Sequence, residues 1–190
     1  MTKILLSAAA ALAIGLPAAA HAQQANILIV DSDRIMSDCT ACKSAASQLQ
    51  TKQAALRSRA QTLQTQLQTE GKALQTAIDA LNGKEPDAAL KAKITAYQTK
   101  ENSAKQELGT STRTLESTAA NVQQQIGQKV VSVVEQIRAR RGAAIVLSKN
   151  STIANDSAID MTTEVLTSLN TQLPSVSVTP MPQAAAPQGR

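Results

Sequence analysis

Two cysteines three positions apart are the first residues in this chain that could do chemistry. Cys39-Thr40-Ala41-Cys42 holds the only cysteines among 190 residues. Such a pair can work as a dithiol redox centre, supply half of a zinc site, or close into a short disulfide. The redox reading needs a βαβ setting, which the flanking sequence does not offer. The zinc reading needs further Cys or His ligands, and His21 is the one histidine of the chain. The plain reading is a local disulfide, or two thiols, tightening the start of a long helix. Asp31, Asp33 and Asp38 form a second candidate group. They lack the spacing of a calcium loop and suit helix caps instead. No catalytic residue, no metal and no cofactor is therefore expected, and the chain does not read as an enzyme.

The elements that position these residues start with a leader. Residues 1–22 read as a secretory signal peptide, with Lys3 at the start, an apolar run, and Ala20-His21-Ala22 as the cleavage site. Export would remove His21, and with it Ser-His and Cys-His catalysis. Tyr97 is the one aromatic, with no Trp or Phe, so a large compact core is not expected. Charge is uneven. Residues 43–141 carry 15 Lys/Arg against 8 Asp/Glu, while the rest of the mature chain is slightly acidic. A basic field of this kind attracts acidic chains, anionic lipid or lipopolysaccharide. Nucleic acid is not expected as a partner, given export and the lack of stacking aromatics.

That basic stretch has the pattern of a helical hairpin. Steps of three and four run from Ala46 to Leu81 through Leu49, Leu56, Leu63, Leu67 and Leu74, the narrow seam of a coiled coil. Asn82-Gly83 should end the first arm. Pro86 permits a fresh start in the first turn of the second, whose seam runs through Leu90, Ile94, Tyr97, Ala104, Leu108, Leu115 and Val122. Folded about the turn, facing residues have a constant number sum of 171. Leu81 then faces Leu90, Leu74 faces Tyr97, Leu63 faces Leu108 and Leu56 faces Leu115. The same register sets Glu70 against Glu101 beside Gly71. That layer is either a soft point in mid-arm, or two acids that swing outward to Lys72, Lys100 or Lys105.

The remaining sequence reads as a small body. Residues 23–42 supply a first strand near 26–30 and a helix start. Residues 142–173 supply a strand at 143–147, a weaker strand at 152–157 and a final helix with Met161, Val165, Leu166 and Leu169 as its stripe. Residues 174–190, with four prolines, should be disordered. The fold class is thus mainly α with a small β body, from which a long antiparallel hairpin at 43–141 projects. A body this small favours an oligomer.

Asn26-Ile27-Leu28-Ile29-Val30-Asp31, with Arg34-Ile35 behind, resembles the opening strand of the Skp/OmpH family of periplasmic chaperones. Residues 144–150, then Ser157-Ala158-Ile159-Asp160-Met161-Thr162 and Glu164-Val165-Leu166, resemble its closing segment. The resemblance implies a homotrimer with a small β-barrel body and three arms around a cavity. It implies an ATP-independent holdase for unfolded outer-membrane proteins. It gives the cysteines no role. A structural coiled-coil envelope spacer or adaptor is the alternative, though a strut would carry an anchor that the mature sequence lacks.

Overall fold

The computed structural model describes residues 26–182. The leader expected at 1–22 and the last eight residues lie outside them. Two parallel strands make the only sheet among the described residues. β1 (Ile27–Val30) pairs with β2 (Ile145–Ser148) in the register Ile27 to Ile145 through Val30 to Ser148. Parallel strands need a crossover connection, and here the crossover is the whole arm. It comprises α1 (Ser32–Asp38), α2 (Thr40–Asp79) and α3 (Ala88–Arg140). A last helix, α4 (Thr162–Gln172), closes the body. No helix among the described residues is long and apolar enough to cross a membrane.

Local chemistry fixes each boundary. The Asp31 carboxylate accepts the Arg34 N–H at 2.9 Å and starts α1. The Asp87 carboxylate accepts the Leu90 N–H at 2.7 Å and starts α3. Both satisfy donors that a helix start leaves open. At the far end of α3, the Ala143 N–H reaches the Arg138 carbonyl and the Gly142 N–H the Ala139 carbonyl. Gly142 has φ +63°, so this is a Schellman close, for which glycine is suited. At the tip, α2 stops at Asp79, and Asn82 and Gly83 turn the chain with φ +49° and +85°. Pro86 stands just before the cap of α3, not within its first turn as the sequence suggested.

α2 spans about 60 Å and α3 about 80 Å at 1.5 Å per residue. The surplus of α3 is used at the root. Val122, Ile126, Val133 and Ile137 are buried there with Leu28, Val30, Ile35, Ala45, Met161 at the start of α4, and the α4 residues Val165 and Leu169. The core therefore sits in the body, and the arms carry little of it.

Three expectations need correction. Residues 152–157 form no strand. β1 takes one bridge on that side, from Ile29 to Asp160, and the intervening chain makes two short 3-10 turns. Within one chain the sheet is an open pair and not a barrel. Residues 174–182 are ordered against α3, with Val176 and Val178 packed on the core cluster. Their hydrogen bonds come from side chains of α3, a support that periodicity cannot reveal.

Candidate functional site

The cysteines sit where the body meets the arm. Cys39 and Cys42 are joined by a disulfide, and both sulfur-bearing residues are buried. Cys39 caps α2, its Sγ accepting the Cys42 N–H at 3.0 Å. The pair marks the break between α1 and α2, where Cys39 is extended (φ −64°, ψ 137°). A thiol that exchanges with substrates must be reachable. This one is buried in the same core cluster as Ala41 and Ala45, where a disulfide acts as a staple.

A polar clasp holds the body, and sequence reasoning gave its members no joint role. Lys149 Nζ lies 3.1 Å from Asp160 and 4.0 Å from Asp31. The Thr162 hydroxyl donates to Asp160 at 2.5 Å and accepts the Asp31 N–H at 2.9 Å. Burial opposes the charge on Asp160. The bonds from Thr162 and the Lys149 ammonium outweigh it and hold the carboxyl below its ordinary range. Glu164 is likewise held low by Arg140 first, then Arg141 at 2.6 Å. Among the described residues no three His, Cys, Asp or Glu side chains cluster as a metal site. Asp31 and Asp160 instead hold helix starts.

The arms offer a different kind of site. Between α2 and α3 runs a groove with three hollows of about 360–380 Å³. The tip hollow is lined by Leu74, Leu90 and Tyr97, with Lys93 and Lys100 at its rim. The middle one is lined by Leu63, Leu67, Ala104 and Leu108. The root one is lined by Leu56, Leu115, Thr118 and Pro180. Of the leucines in the seam only Leu63 is buried; Leu56, Leu67, Leu74, Leu81, Leu90, Leu108 and Leu115 keep part of their surface in solvent, as does Tyr97. The reason is geometric. Two helices can cover a seam from one side only, and many flanking residues here are Ala, Ser, Thr and Gln.

Ion pairs brace the groove. Arg59 and Glu107 meet through two bonds of 2.6 and 3.0 Å. That hydrogen bonding raises the guanidinium and lowers the carboxyl from their ordinary values. Opposite charges flanking facing seam leucines were the available signal for it. In mid-arm, Glu70 pairs with Lys100 and Glu101 with Lys105 at 2.8 Å. Gly71 faces Tyr97: a Cβ there would stand 3.0 Å from the phenol oxygen.

The sequence profile of a family described as outer membrane protein (OmpH-like) matches residues 26–169. The chain belongs to the OmpH-like family. The match runs from β1 through the arm to α4, so the family's span is the body together with its arm. Among solved structures, a candidate OmpH-like outer membrane chaperone from Caulobacter crescentus CB15 aligns with a TM-score of 0.67 at 18% identity. The alignment covers 92% of this chain and 96% of that one. At that identity the likeness concerns the fold: a small body with a long arm is an OmpH-like architecture. No curated protein matches the chain in sequence.

Proposed function

We infer that this OmpH-like protein is an ATP-independent periplasmic holdase for unfolded outer-membrane proteins. The observation that carries the reading is the half-covered seam. It presents a long ribbon of leucine and alanine, broken by open hollows with lysines among their lining residues. Outer-membrane barrel strands alternate apolar and polar residues, so the unfolded client exposes many small apolar contacts. A ribbon of weak contacts holds such a chain without fixing its shape. The basic arms draw acidic clients in over distance. Residues 1–22 supply the export signal, and anionic lipid or lipopolysaccharide is a further partner of the same charge.

The protein works in this reading as a homotrimer. Ile27, Ile145 and Leu147 leave an apolar face on the strand pair, and Met36 and Ile153 are exposed nearby in the body. Burying them against further copies would set three arms around one cavity. The seam pairs then keep each arm closed, and the layer of Glu70, Gly71 and Glu101 gives it a place to bend. The deciding experiment is the mass of the purified protein, alone and with an equimolar urea-unfolded outer-membrane protein diluted into buffer. A trimer that gains the mass of one client is expected. A monomer that binds no unfolded chain would end this reading.

A further inference from the structure

The segment that follows α4 is bound to the arm root in a distinctive way. Gln125 holds Ser177 in both directions: its Oε1 accepts the Ser177 N–H and its Nε2 donates to the Ser177 carbonyl, each at 3.0 Å. One helical turn earlier, Asn121 Nδ2 donates to the Thr179 carbonyl at 3.0 Å. One turn earlier again, Ser117 Oγ accepts the Met181 N–H at 3.0 Å. Four helical residues advance about 6 Å, and two extended residues about 6.6 Å. The ladder 125, 121, 117 thus matches 177, 179, 181 running the other way. All four bonds end on main-chain atoms of the segment, so none depends on its sequence. Its alternate residues do the apolar work. Val176 and Val178 rest on the core cluster, and Pro180 enters the root hollow beside Leu56 and Leu115.

We propose that Ser117, Asn121 and Gln125, with the root hollow, form a binding site for an extended polypeptide main chain. Residues 174–182 occupy it in the free protein and yield it to an unfolded client. The proposal rests on the holdase reading and places one end of the client. Three features of the structure carry it. The bonds recognise main chain, which every unfolded polypeptide offers. The occupant is uncharged, and over residues 176–179 it alternates Val176 and Val178 with Ser177 and Thr179, the period-two pattern of a barrel strand. The site also opens directly into the groove between the arms, so a strand bound here continues along the seam.

The test uses full-length protein in three forms: wild type, Val176→Asp with Val178→Asp to release the segment, and that variant carrying Asn121→Ala and Gln125→Ala. The first probe is a labelled synthetic peptide of residues 174–182, followed by fluorescence anisotropy. The released variant should bind it about tenfold more tightly than wild type, the gain expected when a site closed nine-tenths of the time is freed. The added alanines should abolish that gain. Equal peptide binding by wild type and released variant, at unchanged helix content, overturns the site. The second probe is a urea-unfolded outer-membrane barrel protein added to wild type during hydrogen exchange. The Ser177 and Met181 amides should lose protection when it binds. Protection that stays with client bound overturns the exchange of occupants and leaves the holdase reading intact. If no form holds that client, the holdase reading falls, and the peptide alone decides the site.

Discussion

At the residue scale, the seam crowds most at Gly71 and Tyr97. The glycine admits the phenol, yet glycine in a helix interior costs about 1 kcal/mol relative to alanine. The nearest atom to an added Cβ is the far end of a half-buried tyrosine, which can swing away. Gly71→Ala should therefore raise stability by up to about 1 kcal/mol, read as a higher midpoint in thermal unfolding. A lower midpoint would show that Tyr97 is locked in place. The disulfide closes a very short loop, for which loop-closure entropy gives about 2 kcal/mol. A thiol assay on the protein denatured without reductant should count none. The double variant Cys39→Ser with Cys42→Ser should melt earlier and, on the holdase reading, bind client as the wild type does, because both cysteines are buried in the body.

At the element scale, the hairpin is plain in the sequence and its cross-arm contacts are not. If the Glu70, Gly71 and Glu101 layer bends, hydrogen exchange should find residues 68–73 less protected than the turns on either side. Uniform protection along the arm would remove the bend. The arms, their turn and the cap at Asp31 were legible because each follows from local rules: heptad spacing, a glycine after a helix, a carboxylate before one. The missing third strand was not. Thr152, Ile153 and Ala154 have strand-like composition, but β1 leaves them no edge beyond the single bridge to Asp160. The order of residues 174–182 was hidden as well. Proline signals the absence of a ladder, and here the ladder is provided by helix side chains. The clasp of Asp31, Lys149, Asp160 and Thr162 joins residues over a hundred positions apart, and no spacing rule brings them together.

At the scale of the whole molecule, acid should loosen the body. Asp160 and Glu164 both have folded-state carboxyls held low. The sign follows from linkage. A depressed pKa contributes stability that is fully present above the unfolded value, about 4, and is lost as pH falls through the folded value. Thermal midpoints should thus be level from neutral to about pH 5 and fall below about pH 4. Glu164→Gln should flatten that fall, and an equal fall in the variant would assign it elsewhere. The parallel pairing of Ile27 with Ile145 also dictates an order of assembly. Those strands are 118 positions apart, and closing so long a flexible chain costs about 4 kcal/mol of entropy. The arm, built from neighbours meeting across one turn, needs no such closure. Once zipped, it delivers both strands to the same place at little further entropy. The arm is thus also the scaffold on which its own base is completed, and two strands far apart in the chain are joined only after the hairpin between them has formed.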